Sequence, residues 1–481
     1  MLMYGHYDLN LQNTTRLISS LLSPAVLFPT PQLCSHSHSL PSLYSSPSSY
    51  APPSPPPQPN SLNSHYSTKL NILIKPPSLV PTPHPHPHHH RHRQTLKSPV
   101  ISGAFAGSGQ YFISLHIGSP PQPLLLVADT GSDLIWVKCS ACRNCSLHSP
   151  RSTFLSRHSS SFYPHHCFQS TCRNLVPHPH PNTCNHTKLH SPCRYEYSYA
   201  DGSLTSGFFS QEIITFNTTT AQQLQLKDFN FGCGFHNSGP SITGGSFNGA
   251  NGVMGLGRGP ISFSSQLGRR FGNKFSYCLM DYTLSPPPTS FLVIGSEQND
   301  VVGVNSKINF TPLLMNPISP TFYYIGIKSV YVDDVKLRIN PSVWSIDELG
   351  NGGTIIDSGT TLTLLAEPAY REILTAFKRR VKLPSPAEPI LGFDLCVNVS
   401  GGLSTSYPKL SFELVGGSVF RPPQGNYFIE TSDLVECLAM QPINQESGPS
   451  VIGNLMQQGF LFEFDRDRSR LGFSRHGCAI P

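Results

Sequence analysis

The sequence predicts an all-β protein with two pseudo-symmetric lobes, a central cleft and a few short helices. Three observations predict this fold. From residue 103 onward, short apolar or alternating runs such as YFISLHI, FLVIG and FLFEF are separated by Gly, Pro, Asn and Ser, a pattern typical of strands and turns. Helical periodicity is scarce. Two apolar motifs of the first half recur in the second half, which indicates an internal duplication.

Residues 1–100 differ from the rest of the chain, and we expect a targeting segment followed by a largely disordered leader or propeptide. The stretch 30–100 is rich in Pro, Ser and His and lacks the apolar pattern that a core requires. A short apolar run, RLISSLLSPAVLF, begins at Arg16 and suits a secretory signal. The Ser-rich, acid-poor composition also suits a transit peptide, so a plastid is the alternative to a secreted, apoplastic or vacuolar destination.

The charge distribution argues against nucleic-acid and membrane partners. Residues 1–100 hold six Lys or Arg and the single acid Asp8, which accounts for +5 of the formal net charge of +6. Residues 101–481 then hold 27 basic and 26 acidic side chains, so no basic surface is left for nucleic acid. No run of that part approaches the ~18 apolar residues of a membrane span. We expect a soluble mature protein, a monomer, with no cofactor.

Cysteine usage favours disulfides in an oxidising compartment. Twelve of the 13 cysteines follow the leader, and eight of these lie between Cys139 and Cys233. The CSACRNC stretch (139–145) contains CxxC spacing, but no second CxxC follows and nearby histidines lack ligand spacing, so we expect no metal site. Glycosylation sequons fit the secretory route and occur at Asn144, Asn185, Asn217, Asn309 and Asn398.

One segment carries a clear helical pattern. EPAYREILTAFKRRV (367–381) has Pro368 near its start and a single apolar stripe. We expect this helix to serve packing. The residues of the stripe are Tyr370, Ile373, Leu374, Phe377 and Val381.

The first repeated motif is an apolar strand that ends in an acid and a tight turn. Residues 124–132 read LLLVADTGS and residues 352–360 read GGTIIDSGT. One such turn is a weak signal, because turns favour these residue types, but two copies in the same apolar setting are a strong one. The residues of the two turns are Asp129, Thr130, Gly131, Ser132, Asp357, Ser358, Gly359 and Thr360.

The second repeated motif fixes the lobes. NGVMGLG carries Gly255 and PSVIGNL carries Gly453, each after two apolar residues. Gly255 follows Asp129 by 126 positions and Gly453 follows Asp357 by 96, so the first half has about 30 extra residues, which the Cys-rich stretch 139–193 would supply. We expect a first lobe over 101–316, with this insertion, and a second over 317–481.

Two acids brought together in this way have a specific chemistry. Like charges about 3 Å apart cannot both ionise, so the pair shares one proton. The ionised member can take a proton from a bound water while the protonated member donates to a substrate carbonyl, which hydrolyses an amide without a covalent intermediate. Glycines let backbone amides approach the carboxylates. We expect Ser132 and Thr360 to donate to the acids, and Thr130 and Ser358 to brace the two turns.

These motifs resemble those of the pepsin-like aspartic proteases, and the Cys-rich insertion resembles the plant nepenthesin-type branch. The resemblance covers about residues 103–481 and implies a zymogen with polypeptide substrates. It also implies a flap hairpin over the cleft, for which YSYADGSLTSGF makes Tyr199 the flap tyrosine. Ala200 stands where the family usually has Gly, and Trp136 matches the tryptophan that hydrogen-bonds the flap tyrosine, with a core aromatic as the alternative.

The resemblance implies further features and leaves some open. It implies a structural role for Asp133 and a disulfide between Cys396 and Cys437. Asp201 at the flap tip is either a substrate contact for basic or polar side chains or a turn residue. The match weakens in the leader, whose few basic residues are scattered through Pro, Ser and His tracts, unlike an ordered basic prosegment.

Two other functions compete with proteolysis. The same fold includes secreted inhibitors of glycan-degrading enzymes that have lost part of the acid pair, although both acids and the flap tyrosine are present here. Glycoside hydrolysis would need carboxylates about 5–9 Å apart, which the symmetry of the two turns disfavours.

Overall fold

A computed structural model gives the fold for most of the chain that follows the leader. It describes residues 95–143, 153–176, 190–217, 223–281, 283–284, 288–295, 308–400, 406–432, 434–443, 448–475 and 477–478. The targeting segment, the leader up to residue 94 and the sequons at Asn144 and Asn185 lie outside these ranges. All described residues belong to one compact unit.

The described residues form 26 strands and a few short helices, which confirms the all-β prediction. Nineteen strands join into one large mixed sheet. Those of the first half are β1 Leu96–Ser102, β2 Tyr111–Ile117, β3 Gln122–Asp129, β4 Trp136–Arg143, β5 Tyr163–Pro164, β6 Arg194–Ser198, β7 Leu204–Asn217, β8 Gln223–Ser238, β9 Gly252–Gly255, β10 Lys274–Cys278 and β11 Ser290–Ile294. Those of the second half are β12 Asn309–Leu314, β13 Tyr324–Ile325, β16 Thr354–Ile356, β17 Thr363–Ala366, β23 Met440–Ile443, β24 Ser450–Ile452, β25 Leu461–Asp465 and β26 Arg470–Ser474.

Two smaller sheets complete the second half. A four-stranded sheet has the order β15-β14-β19-β20, with β14 Ile327–Val332, β15 Val335–Lys336, β19 Leu410–Leu414 and β20 Val419–Phe420. A three-stranded sheet has the order β18-β22-β21, with β18 Cys396–Asn398, β21 Phe428–Ser432 and β22 Val435–Leu438.

Helices are short, as the sequence predicts. They are α1 Ser170–Leu175, α2 Pro240–Thr243, α3 Phe263–Phe271, α4 Glu367–Arg380 and α5 Asn454–Gln457, with 3₁₀ turns at Gly103–Ala106, Ser156–His158, Gly245–Phe247, Pro341–Trp344 and Gln424–Asn426. The longest, α4, confirms the helix predicted over 367–381. It starts with Pro368 in its first turn and ends where Val381 becomes extended, and its stripe buries Tyr370, Ile373 and Phe377.

The duplication appears directly in strand pairing. β3, which ends at Asp129, runs parallel to β9, and Asp129 is paired with Gly255. In the second half β16, which ends one residue before Asp357, runs parallel to β24. Each repeated motif of the sequence is therefore one member of an equivalent parallel pair, and each pair delivers one acid to the middle of the large sheet.

The first strand extends into the segment that the composition assigns to the leader. β1 starts at Leu96, pairs with β11 on one side and β2 on the other, and buries Leu96, Ser98 and Val100. Residues 96–100, which the sequence assigns to the leader, are thus part of the sheet. The reason is tertiary: LKSPVIS contains a Pro and a Lys and looks like the preceding tract, and only its two neighbouring strands make it a strand.

Four disulfides are present among the described residues. They join Cys139 to Cys233, Cys172 to Cys193, Cys278 to Cys478 and Cys396 to Cys437. The pair between Cys396 and Cys437, implied by the family resemblance, is confirmed. Because Cys139 is bonded to Cys233, it is not available as a ligand in the CxxC stretch.

Candidate active site

The two acids of the repeated turns lie together in the interior. Asp129 and Asp357 are both 0% exposed, at the ends of the apolar strands β3 and β16. Local sequence explains the placement, because a run of buried apolar residues carries each strand to the centre and a glycine then ends it.

Each carboxylate is held by its own turn in the same way. Ser132 Oγ donates to Asp129 Oδ2 at 2.5 Å, and Thr360 Oγ1 donates to Asp357 Oδ2 at 2.6 Å. The backbone N–H groups of the two glycines donate to the other oxygens, Gly131 to Asp129 Oδ1 at 3.0 Å and Gly359 to Asp357 Oδ1 at 2.9 Å. Each acid therefore has one hydroxyl and one amide donor.

The two turns approach each other so closely that only glycine fits. A Cβ atom on Gly131 would lie 2.7 Å from Oδ2 of Asp357. A Cβ atom on Gly359 would lie 2.1 Å from Oδ1 of Asp129. Each acid thus packs against the glycine of the opposite turn, which brings residues 226 and 230 positions apart in sequence into contact.

Hydroxyl groups tie the turns together across this contact. Thr130 Oγ1 accepts from the Ser358 N–H at 2.9 Å and donates to the Ile356 carbonyl at 3.2 Å. Ser358 Oγ accepts from the Thr130 N–H at 3.1 Å and donates to the Ala128 carbonyl at 2.8 Å. All four bonds are buried, so the relative position of the two acids is fixed by groups that have no solvent alternative.

Electrostatics separate the protonation of the two acids. Burial, and then the negative charge of Asp129, raise the pKa of Asp357 to about 6, against the lowering effect of the Thr360 and Gly359 hydrogen bonds. The pair therefore retains a proton in weak acid, where an isolated carboxyl would be ionised. A protonated and an ionised carboxyl side by side can donate one proton and accept another in the same step.

A hairpin of β6 and β7 brings Tyr199 toward the acids. Its turn closes with hydrogen bonds from the Tyr199 N–H to the Ser203 carbonyl at 2.8 Å and from the Gly202 N–H to the Tyr199 carbonyl at 3.0 Å. Trp136 Nε1 donates to the Tyr199 hydroxyl at 2.6 Å. Burial, followed by the charges of nearby groups that include Asp129, raises the pKa of Tyr199 well above 10, so its hydroxyl stays protonated. Ala200, at the tip of the turn, is exposed.

The two remaining acids near the site make structural contacts. Asp201 accepts from both the N–H and the hydroxyl of Ser203, at 3.0 and 2.8 Å, and from the Ser241 hydroxyl. This carboxylate braces the flap turn, which favours the turn role over the substrate role. Asp133 accepts from the Gly259 N–H at 2.8 Å and the Thr321 hydroxyl at 2.7 Å, and burial raises its pKa.

Sequence reasoning missed the residue that supports the Asp357 turn from behind. Gln457 is fully buried in α5. Its Nε2 donates to the Asp357 carbonyl at 3.0 Å and to the Ile452 carbonyl at 2.8 Å, and its Oε1 accepts from the Tyr277 hydroxyl. The signal in the sequence was the polar pair Gln457–Gln458 in NLMQQ, which follows shortly after Gly453 of the second repeated motif.

A buried lysine beside the flap anchor was also missed. Lys138 is 3% exposed, and its Nζ lies 4.7 Å from the centroid of the Phe247 ring, which stacks in turn on Trp136. Burial lowers the pKa of Lys138 to about 8. The side chain is still charged at acidic pH, where the face of the Phe247 ring offers it a cation–π contact.

Neither a metal-ligating cluster nor a membrane-spanning helix is present in the described ranges. No group of three or more His, Cys, Asp or Glu within them is arranged to hold a metal ion. No helix within them has both the length and the apolar character needed to cross a bilayer.

Similarity to known proteins agrees with this geometry. The chain matches the family profile described as xylanase inhibitor N-terminal over residues 111–296 and that described as xylanase inhibitor C-terminal over 322–475. It is 38% identical to aspartyl protease family protein 2 of Arabidopsis thaliana, over 79% of this chain and 74% of the relative. It is 36% identical to aspartic proteinase nepenthesin-1 of Nepenthes gracilis, over 79% and 81%.

A solved structure shares the fold. The crystal structure of edgp superposes with a TM-score of 0.63 at 25% identity, and the match covers 79% of this chain and 94% of that one. Fold and site define a bilobal, pepsin-like β protein with a buried pair of acids. The chain belongs to the nepenthesin-type branch of the pepsin-like aspartic proteases.

Proposed function

We propose that the protein is an aspartic endopeptidase that hydrolyses peptide bonds in polypeptide substrates at acidic pH, with Asp129 and Asp357 as its catalytic pair. The observation that best supports this is the packing of each carboxyl against the glycine of the opposite turn, in a fully buried setting. The proteases among its relatives agree with the same chemistry.

The proposed reaction uses one water and one shared proton. Ionised Asp129 takes a proton from a water held between the acids, and the resulting hydroxide equivalent attacks the substrate carbonyl carbon. Protonated Asp357 donates its proton to the carbonyl oxygen, which gives a neutral gem-diol. The proton now on Asp129 then passes to the amide nitrogen, the C–N bond breaks, and the carboxyl product returns a proton to Asp357.

The flap is proposed to cover the bound peptide. The Trp136–Tyr199 hydrogen bond fixes the ring of Tyr199 above the acids, and Ala200 at the exposed tip contacts the substrate backbone. Ser132 and Thr360 keep the outer carboxylate oxygens in place, and Thr130 and Ser358 keep the spacing between the two turns.

We propose a monomeric zymogen with a first lobe over 101–316 and a second over 317–481, without a nucleic-acid or membrane partner. We propose a glycosylated protein that enters the secretory route and reaches the apoplast or vacuole, with a plastid as the alternative. A compartment of low pH would suit a pair whose shared proton is held up to about pH 6.

The test is acid proteolysis of a denatured protein substrate by the processed protein and by its Asp357→Asn variant. Asn keeps the shape of the side chain but cannot titrate, so cleavage should fall by at least ~1,000-fold. Asp347→Asn is the matched control, because Asp347 is an exposed acid of the same half of the chain. This variant should cleave the substrate like the wild type. Equal cleavage by the wild type and the Asp357→Asn variant would show that the acid pair is not the source of the cleavage. It would favour a binding or inhibitory role, which agrees with the description of the matched family profiles as xylanase inhibitor.

A further inference from the structure

A cavity in the second half is separate from the acid pair and has a distinct chemistry. It has a volume of about 340 Å³ and lies between the β14–β15 hairpin and the 3₁₀ turn Pro341–Trp344. Three of its nine lining residues are cations and five are apolar, and none of the nine is acidic. The lining residues are Lys328, Ser329, Val330, Lys336, Leu337, Arg338, Ile339, Pro341 and Trp344.

The positive charge at the cavity is only partly neutralised. Glu413 binds Lys328 at 2.7 Å and also accepts from the Tyr331 hydroxyl at 2.9 Å. Among the described residues, no ion pair joins Lys336 or Arg338 to a carboxylate. Glu413 also interacts electrostatically with Lys336, but without an ion pair. Since residues 101–481 are almost neutral overall, two exposed cations that form no ion pair with a described carboxylate are a local feature of this cavity.

A buried hydroxyl also lines the cavity. Ser329 is 5% exposed, and within the described part of the chain its Oγ has no hydrogen-bond partner of normal geometry. Tyr331, on the same face of β14, donates its hydroxyl to Glu413. An unsatisfied buried hydroxyl costs about 1–3 kcal/mol, so a polar ligand atom at this point would be favourable.

The apolar wall narrows the class of ligand. A bare inorganic anion would use the cations but gain nothing from Leu337, Ile339 and Pro341, whereas a sugar ring has apolar C–H edges as well as hydroxyls. The volume is at the lower end of the ~300–1,000 Å³ range of small-molecule sites, which suits one ring rather than a long ligand. Arg and Lys together recognise a carboxylate.

We propose that this cavity binds one uronic acid residue of an acidic glycan. Lys336 and Arg338 contact the carboxylate, Ser329 bonds a ring hydroxyl, and Pro341 with its apolar neighbours packs against the ring. This site does not depend on the proposed proteolysis, so binding is expected to be the same in the Asp357→Asn variant.

The test is calorimetric titration of the processed protein at pH 6 and low salt with a trimer of galacturonic acid. We expect saturable binding, at least tenfold weaker binding of the fully methyl-esterified trimer, and at least a tenfold loss in the Lys336→Gln/Arg338→Gln double variant. Both substitutions are on exposed side chains, so folding should be retained. Lys378→Gln/Arg379→Gln is the matched control, since it removes the same charge from α4 outside the cavity and should bind normally.

Several results would overturn the proposal. The first is a titration that does not saturate up to 10 mM trimer, about tenfold above the ~1 mM dissociation constant of a weak site. The second is an equal loss of affinity in the matched control, and the third is no loss of affinity in the Lys336→Gln/Arg338→Gln variant. Equal affinity for inorganic sulfate would replace the uronate site with a bare-anion site, and equal affinity for triglutamate would replace it with a site for an acidic peptide.

A further variant tests the hydroxyl contact. A loss of affinity of only a few fold in Ser329→Ala, with the preference for the free acid over the methyl ester retained, would support this contact.

Discussion

Replacing Asp357 by Asn should abolish cleavage and at the same time stabilise the protein at neutral pH. The folded state raises the pKa of Asp357 from 3.8 to about 6, mainly by burial. A raised pKa means that the stability contributed by the protonated group is complete below about pH 4 and is lost as pH rises through about 6. A shift of ~2 pKa units corresponds to about 3 kcal/mol, and Asn, which does not ionise, avoids that loss.

The assay is urea unfolding with the disulfides intact, followed by the fluorescence of the two tryptophans. The Asp357→Asn variant should be more stable than the wild type by about 3 kcal/mol at pH 8, and by about half of that at pH 5. Asp347→Asn serves again as the control and should show no such gain. A stability gain of the same size at both pH values, or no gain at pH 8, would refute the account of the buried charge.

Substitutions at three further residues test the groups around the acids. Thr130→Ala removes two buried hydrogen bonds between the turns, one that the Thr130 hydroxyl donates and one that it accepts. We expect the free energy of unfolding to fall by about 1–3 kcal/mol and kcat to fall as well. An unchanged kcat would contradict a bracing role. Trp136→Phe keeps an aromatic ring but removes the Nε1 donor to Tyr199 and part of a fully buried side chain, so kcat/KM should fall about tenfold and unfolding should become easier by about 1–3 kcal/mol. An unchanged kcat/KM would contradict a role of this hydrogen bond in holding the flap tyrosine. Gln457→Leu leaves the Asp357 carbonyl without its amide donor, so kcat should fall at constant KM, and Gln457→Glu, which keeps one acceptor, should not restore it.

The acid pair was readable from sequence because its signals are local and repeated. An apolar strand, an acid, a hydroxyl and a glycine occur twice, and the Gly255 and Gly453 motifs repeat beside them. The parallel pairing of β3 with β9 and of β16 with β24 reproduces that repetition in space. Turn chemistry and periodicity fix such features without knowledge of the rest of the fold.

Features that depend on distant partners were not readable. The Cys278–Cys478 pair spans 200 positions, and composition alone gives no connectivity for twelve cysteines. Gln457 belongs to a pair of glutamines, and such polar residues are mostly solvated, so only its burial against Asp357 and Tyr277 makes it a supporting residue. Residues 96–100 of β1 have the composition of the leader for the same reason, because their neighbours in the sheet come from elsewhere in the chain.

The sharing of one proton by two acids can be measured directly by carboxyl ¹³C NMR titration of the processed protein and of its Asp129→Asn variant. We predict that one carboxyl of the wild type titrates near pH 6, and that the pKa of Asp357 falls in the variant, though not to 3.8, because burial remains when the charge of Asp129 is removed. A pKa of Asp357 that is the same in both proteins would show that the two carboxyls do not interact, and would contradict the proposed catalytic pair.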